Sequence, residues 1–268
     1  MKIGIIGLGV VGKACKFGFE LIGHTVYVHD TAIGSKIQDV YDTEVVFICV
    51  PTPTRSIDGG CNTSIVESVV TELVKISYKG VIAIKSTVSP GTCSRLFNEH
   101  WPLAKICMVP EFLRERCAIT DFTENHDLLV IGTPANHTEY AEPIIRCHGE
   151  LPKEVAVVGL KEAEFVKYFN NTYNATLITF ANSFHDICKK EEVDYSTVMK
   201  TVSKREHISK NYLQCNKNFR GFGGVCLPKD TRAMAALEKG TDITFFSDLL
   251  KQNSKFTTTV LPGMRHEQ

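Results

Sequence analysis

Short runs of apolar, often β-branched residues alternate with helical periodicity over the first 160 or so positions. The strand candidates are Ile3–Ile6, Thr25–His29, Val45–Val50, Val81–Lys85, Ile106–Val109, Leu128–Gly132 and Val155–Val158. Between them, apolar positions recurring every three to four residues predict helices over Val11–Leu21, Ser64–Ile76 and Asn136–Cys147. Strands separated by helices predict βαβ units and a mostly parallel sheet covered on both faces. Only Thr31–Glu44 separates the second and third strands, room for one short crossover helix at most. Past about Leu160 the strand pattern stops. Lys161 to about Lys190 predicts one long helix, with further helices near Asp194–Val202, Lys229–Lys239 and Phe245–Asn253. The expected fold is α/β: a parallel-sheet domain at residues 1–158 and an all-helical central domain at residues 159–268.

Composition narrows the partners. Hydrophobic residues make up 43% of the 268 and charged residues 22%, an ordinary globular balance. Lys+Arg and Asp+Glu both number 30, so no net charge points to nucleic acid or to an anionic membrane. No apolar stretch is long enough to span a bilayer. The strand-like run Lys2–Ile6 begins directly at Met1 and leads into glycines, which leaves no room for a signal peptide. The expected compartment is the cytoplasm, that of a host if the chain is viral. Ten cysteines are scattered without a CxxC pair, so neither a metal site nor a disulfide framework is expected. Most read as small buried hydrophobes.

Gly7-Leu8-Gly9-Val10-Val11-Gly12 follows the first strand and opens a helix. In such a turn the first glycine permits the tight bend, the second lets a pyrophosphate approach the backbone, and the third allows close helix packing. The motif alone is weak, but here a strand precedes it, a helix follows, and the second strand ends in Asp30. A carboxylate there accepts from both ribose hydroxyls and repels a 2′-phosphate, so a Rossmann-like domain binding NAD rather than NADP is expected. The bland reading of Asp30 is a solvated acid or a cap at the strand end.

Three later strands deliver polar residues to one rim. Cys49-Val50-Pro51-Thr52-Pro53-Thr54 ends the third, Lys85-Ser86-Thr87-Val88-Ser89-Pro90-Gly91-Thr92 the fourth and Pro110-Glu111-Phe112-Leu113-Arg114-Glu115 the fifth. Each also reads as a rigid turn, since proline ends a strand. In the long helix Lys167 and Asn171 stand one turn apart. Among Phe165, Val166, Tyr168 and Phe169, the lysine reads equally as the solvent side of an amphipathic helix. The sharpest segment is Gly221-Phe222-Gly223-Gly224-Val225-Cys226-Leu227-Pro228-Lys229-Asp230. Its glycines leave room for a ligand against the chain, and Pro228 suits the first turn of a following helix. A cysteine at a helix start, with Lys229 near, has more thiolate character, and Asp230 could accept a proton or orient a water.

Together GLGVVG, CVPTPT, KSTVSPGT, PEFLRE, KYFNNTYNA and GFGGVCLPKD resemble the UDP-glucose/GDP-mannose dehydrogenase family in order and approximate spacing, from residue 1 to about Asn253. The resemblance implies a two-step oxidation of a nucleotide sugar's C6 alcohol to a carboxylate, UDP-glucose to UDP-glucuronate foremost, with two NAD and no metal. Carried onto this chain, Cys226 forms a thiohemiacetal and then a thioester, while Lys167 and Asn171 stabilise the oxyanion. Asp230 with Thr87 holds the catalytic water, and Glu111 is the base for hydrolysis. Gly7, Gly9, Val10, Val11, Gly12, Asp30, Val50, Pro51, Thr52, Thr87 and Glu115 contact NAD. Glu111, Phe112, Leu113, Arg114, Glu115, Lys167, Asn171, Phe222, Gly223 and Cys226 line the sugar site. A homodimer through the long helix is implied as well.

The chain departs from the family pattern in three places. Little follows Asn253, where relatives begin a second Rossmann-like domain that binds the nucleotide. Much of the usual insertion after Asp30 is missing. Glu206-His207-Ile208-Ser209 stands where relatives carry Arg-Ile-Gly, which puts His207 in the arginine's place and Arg220 as a substitute. A compact enzyme, one completed by a partner chain that supplies a nucleotide-binding domain, and an NAD-binding protein with little turnover are all expected from this. So is a β-hydroxyacid dehydrogenase, which shares the Lys-xxx-Asn pair but leaves GFGGVCLPKD unexplained.

Overall fold

The computed structural model describes residues 1–256. Seven strands, β1 (Lys2–Ile6), β2 (Thr25–His29), β3 (Val45–Ile48), β4 (Val81–Ile84), β5 (Lys105–Met108), β6 (Leu128–Thr133) and β7 (Glu154–Gly159), form one sheet in the order β2-β1-β3-β4-β5-β6-β7. All neighbours pair parallel except β5 and β6, which meet antiparallel at Met108↔Gly132. The mostly parallel α/β sheet expected from the strand pattern is present. β3 and β4 are buried at every position, as strands covered on both faces must be.

Alternation along the strands builds two cores. Ile3, Ile5, Val45, Phe47, Val81 and Ala83 turn to one face, under α1 (Val10–Leu21), α4 (Ala118–Thr123) and α5 (Ala141–His148). Ile6, Val46, Ile48, Ile82 and Ile84 turn to the other, under α2 (Ser64–Lys75) and α3 (Thr92–His100). The lean crossover from β2 to β3 is two single 3-10 turns, Thr31–Ile33 and Ile37–Val40, rather than one helix. Ile37 and Val40 fill the second core. Because β2 and β3 flank β1, the chain reverses its progress across the sheet there, and the loops at the strand ends of that crevice are where α/β sheets take ligands.

The helical part holds α6 (Leu160–Lys190), α7 (Tyr195–Val202), α8 (Cys226–Leu237) and α9 (Phe245–Asn253). α8 begins at Cys226 itself, three residues before the expected start, because Val225 to Pro228 already turn helically. The span Asn136–Cys147 is not one helix but a 3-10 turn, Thr138–Tyr140, followed by α5. α3 and α4 were not expected: α3 buries only Thr92, Cys93 and Leu96, too few apolar positions to register as a period.

The chain divides into two compact units. The first is Met1–Pro53 with Cys61–Lys167, and the second is Thr54–Gly60 with the chain from Tyr168 onward. The end of the expected helical domain, 257–268, lies outside the described residues. In the second unit, Ala181, Cys188, Tyr195 and Leu213 form one small core and Ala175, Phe222 and Leu249 another. Among the described residues, no helix is long and apolar enough to cross a membrane, and no group of His, Cys, Asp and Glu is placed to hold a metal ion.

The first core also buries histidines. His148 has no exposed surface, sits among Phe19, Phe47, Phe122 and His126, and bonds Ile144 O through Nδ1 at 2.7 Å. Neither His148 Nε2 nor His126 Nδ1 has a hydrogen-bond partner. Burial pushes His148 well below the ordinary imidazole range and His126 down to about 4. Both are therefore neutral when folded and charge on unfolding below about pH 6.5. The unfolded state then binds more protons, so stability is lost as pH falls from about 6.5 towards 4, by about 1.4 kcal/mol per pH unit for each such histidine. Urea midpoints measured across this range should fall steeply. His148→Leu should flatten the slope by about one proton, and an unchanged slope would remove His148 from the account.

Candidate active site

In the first unit the glycine turn is shaped for a ligand on one side only. Gly7 has φ +94°, and a Cβ there would meet Cys49 O at 2.7 Å. A Cβ on Gly12 would lie 1.9 Å from Gly7 O, so the helix can approach the strand only with glycine. A Cβ on Gly9 would meet nothing within 4 Å. The open backbone at Gly9 leads into Val10 and Val11, the first residues of α1, whose N-terminus no side chain caps. Unsatisfied N–H groups and positive potential are left facing that opening.

Asp30 caps the turn at the end of β2. Its Oδ2 accepts from Leu8 N–H at 2.6 Å and its Oδ1 from Ala32 N–H at 2.8 Å. The Leu8 bond first, then that of Ala32, holds the carboxyl below the ordinary range. The acid at the end of β2 thereby fixes the glycine turn at the end of β1.

The rim loops are braced to one another. Ser86 Oγ donates to Val50 O at 2.7 Å, next to Pro51 and Thr52. The buried Cys61 thiol faces Thr87 O at 3.2 Å and Thr52 O at 3.8 Å. Glu164 of α6, with no exposed surface, accepts from Gly91 N–H at 2.5 Å and Cys93 N–H at 2.8 Å at the start of α3. Burial raises its carboxyl above the ordinary range despite these bonds.

Lys167 is not on the solvent side of its helix: it is 3% exposed. Its Nζ donates to Glu111 O at 2.5 Å and Glu111 Oε1 at 3.1 Å, and lies 5.7 Å from the Phe112 ring centre. Glu111 Oε2 accepts from Leu113 N–H at 2.7 Å. Arg114 turns its guanidinium to Asp121, at 2.9 and 2.6 Å, and Glu115 opens a 3-10 turn. Of the predicted residues, the structure thus gathers Glu111, Phe112 and Lys167 about one ion pair.

In the second unit, Asp230 has no exposed surface. Asn171 Nδ2 donates to its Oδ2 and Lys229 Nζ to its Oδ1, each at 2.5 Å. Lys229 is thus an ion-pair partner of Asp230 as well as a neighbour of Cys226 in sequence. Cys226, the first residue of α8, is the exposed cysteine of the ten; six are buried and three intermediate. Phe222 is buried and Gly223 partly so. His207 is exposed in a turn. Arg220 is directed inward, with Nε on Asn182 Oδ1 at 2.6 Å, Nη2 on Asp186 Oδ2 at 2.8 Å and its guanidinium over Phe256, which does not favour it as a substitute for the missing arginine. Cys61, Glu164, Asn182 and Asn253 were not singled out from sequence, since their partners lie far along the chain.

Comparison with known proteins decides the family. The model of the UDP-glucose/GDP-mannose dehydrogenase NAD binding domain matches residues 31–147, and that of the central domain matches residues 161–255. The chain belongs to the UDP-glucose/GDP-mannose dehydrogenase family. A UDP-glucose 6-dehydrogenase of Haloferax volcanii is 28% identical over 88% of this chain and 65% of its own length. One from Bacillus subtilis is 32% identical over 94% and 64%. The chain therefore spans about two thirds of the length of these relatives. The UDP-glucose dehydrogenase structure from Pyrobaculum islandicum superposes with a TM-score of 0.84 at 28% identity, over 95% of this chain and 68% of that one. A Mycobacterium tuberculosis 3-hydroxyisobutyrate dehydrogenase shares the fold, with a TM-score of 0.70 at 16% identity, over 95% of this chain and 92% of that one.

The cofactor of the family's first domain is NAD, and this chain's residues fit it: an open glycine backbone at Gly9, an uncapped helix start and a carboxylate at the end of β2. Asp30→Ala should weaken NAD binding by about 10- to 100-fold, the loss of hydrogen bonds to a charged group, and narrow the preference over NADP. Titration of NADH fluorescence measures both. Unaltered affinities would leave Asp30 a cap and nothing more.

Proposed function

We propose that this chain oxidises the C6 alcohol of a nucleotide sugar to the uronic acid, UDP-glucose to UDP-glucuronate foremost, through covalent intermediates on Cys226, in the cytoplasm. The observation that carries the reading is the exposed cysteine at the first position of α8, one turn before a fully buried Asp230 paired with Lys229 and Asn171. Bound NAD supplies the hydride acceptor for both oxidations, held by Gly7, Gly9, Val10, Val11, Gly12, Asp30, Val50, Pro51, Thr52, Thr87 and Glu115.

The first oxidation removes a hydride from C6 and a proton from its hydroxyl to give the aldehyde. The Cys226 sulfur then adds to the carbonyl carbon, and its proton passes to the oxygen, giving a thiohemiacetal. Loss of a hydride from carbon and a proton from the hydroxyl leaves a thioester. Water then adds to the thioester carbon, the C–S bond breaks, and the acid and the thiol are released. Lys167 and Asn171, both buried on α6, are assigned to the developing oxyanion, where fixed donors act most strongly in a dry setting. Glu111, already bonded to Lys167, is the base that takes the water's proton. Asp230 and Thr87 hold that water; an ionised carboxylate has about four lone-pair directions, and two are filled here. Phe112–Glu115, Phe222 and Gly223 are assigned to the sugar.

A β-hydroxyacid dehydrogenase is the second reading, supported by fold and by the 92% coverage of the 3-hydroxyisobutyrate enzyme. NADH formation with UDP-glucose, UDP-N-acetyl sugars, GDP-mannose and 3-hydroxyisobutyrate separates the two. We expect two NADH per nucleotide sugar and none with Cys226→Ala. Turnover in the alanine variant would end the thioester scheme, and 3-hydroxyisobutyrate as the one substrate would favour the second reading. Silence throughout would point to a chain that binds NAD without turnover, or one that needs a partner supplying the nucleotide-binding surface.

The same reading includes a homodimer. In the second unit Phe169, Tyr173, Phe180, Phe184 and Ile187 are exposed along one face of α6 by its 3.6-residue period. A groove of about 610 Å³ lined by Thr176, Phe180, Ile243, Phe245 and Leu249 adjoins that stripe and contains none of the residues assigned to chemistry. Exposed apolar area on this scale is normally covered. Light scattering should give twice 29.8 kDa, and Phe180→Asp with Ile187→Asp should halve it. A native monomer would reject the dimer.

A further inference from the structure

The loop leading to Cys226 has little side chain with which to hold itself. Gly221 and Gly224 take φ of +64° and +75°, and Gly223 lies between them. A glycine-rich loop loses more chain entropy on ordering than any other, so its backbone must be tied from outside. Two buried carboxamides do so. Asn253, the last residue of α9, accepts from Phe222 N–H through Oδ1 at 2.8 Å and donates from Nδ2 to Phe222 O at 2.9 Å. Asn182, 1% exposed on α6, accepts from Gly221 N–H at 3.1 Å with the same oxygen that takes Arg220 Nε. The Phe222 ring is buried beside Ala175 and Leu249. Four residues after this clamped peptide, Cys226 opens α8.

We propose that Asn253 is a positioning residue for Cys226: its carboxamide holds both the N–H and the C=O of Phe222 and so fixes where the thiol stands at the helix start. The inference rests on the reading of Cys226 as the nucleophile. It needs an amide at this position. A carboxamide presents a donor and an acceptor side by side to the C=O and N–H of one residue, and an ionised carboxylate can only accept. Asn253→Asp therefore leaves Phe222 O facing a carboxylate oxygen in a buried setting, so that bond is lost and replaced by repulsion, while Phe222 N–H keeps an acceptor. Protonating the aspartate restores a donor beside an acceptor. The charged and titratable groups on the elements around the clamp include Arg220, its partner Asp186, His185 beside it, Cys215 on the same Asn182 oxygen, Asp248, Lys251 and Lys255 on and after α9, and the paired Lys229 and Asp230 on α8. Arg220 is paired with Asp186, so the introduced acid responds chiefly to burial, which raises its protonation range.

The test uses the full chain with Asn253→Asp and Asn253→Ala. One arm reads the rate at which iodoacetamide alkylates Cys226, followed by mass spectrometry without substrate. The other reads kcat, KM and NAD affinity. We expect Cys226 alkylation at pH 8 to slow several-fold in both variants, and kcat to fall about 30-fold with NAD affinity unchanged. Relative to native protein at each pH, the Asp variant should recover as pH falls from 8.5 to 6, while the Ala variant should not. Native alkylation in both variants would overturn the proposal. So would an identical pH response of the two, which marks a merely structural residue. If the Asp variant lacks a native melting transition, alkylation of the Ala variant decides. A native chain that oxidises no nucleotide sugar defeats the proposed function, while the alkylation arm still answers for the clamp.

Discussion

Asp230 has no exposed surface, and a carboxylate buried without partners costs several kcal/mol. Its two oxygens are therefore the constraint around which the second unit is arranged. Lys229 neutralises one and Asn171 satisfies the other, each at 2.5 Å. Lys229 is its neighbour in the first turns of α8, but Asn171 is on α6, so pairing the charge sets the start of α8 against that helix. Cys226 lies one turn before Asp230, and a helix fixes residues four apart on one side. The exposed thiol thus takes its place from a charge that is entirely hidden. Removing either partner would strand the carboxylate, so the cluster stands or falls together rather than by separate small contributions.

α6 repeats this logic along its length. Within the first unit, Glu164 holds the start of α3 and Lys167 holds the Glu111 backbone and side chain. Within the second, Asn171 meets Asp230 and Asn182 meets the glycine loop. Four polar side chains of one helix are at most 5% exposed, and each has a specific partner. Helix interiors seldom carry such groups unless they are bonded, since each unpaired one would cost about 1–3 kcal/mol. Polar burial on this scale favours one geometry over many, which suits loops and strand ends that have to be held still. It supplies less stability than an apolar core of the same size would.

The sheet, both cores and the long helix were legible in the sequence because each rests on local periodicity, and the strand ends that carry Asp30, Thr52, Thr87 and Glu111 came with them. The burial of Lys167 was not legible. Its neighbours Phe165 and Phe169 suggested an exposed face, and what buries it is Glu111, 56 residues earlier. Glu164, Asn182 and Asn253 were missed for the same reason: a carboxylate or amide mid-helix is unremarkable until its distant partner is known. α3 was missed because a helix with one buried side toward a strand needs only Cys93 and Leu96 in the core. In sequence Asp30 reads either as a ribose-binding carboxylate or as a solvated acid or cap at the strand end; the cap is present, with one oxygen on Leu8 N–H and the other on Ala32 N–H.

The ten cysteines show how burial sorts chemically identical groups. Sulfur reacts as thiolate, and burial penalises the charged form. Burial pushes Cys93, Cys107 and Cys147 far above the ordinary thiol range, and raises Cys117 and Cys215 as well. Burial pushes Cys15 up too, but its bond with Cys49 and the charge of Lys85 draw it down, and it has no exposed surface from which to react. A reactive thiol needs access and a setting that favours its anion, and a helix N-terminus provides the second. Cys226 is exposed and is the first residue of α8, the position on which the proposed function relies. On the proposed reading the glycine loop before it serves the same end, because a bulky approach would cover the sulfur, while an untethered one would let it leave the helix start. Small residues give the access and buried amides give the restraint, and neither is sufficient without the other.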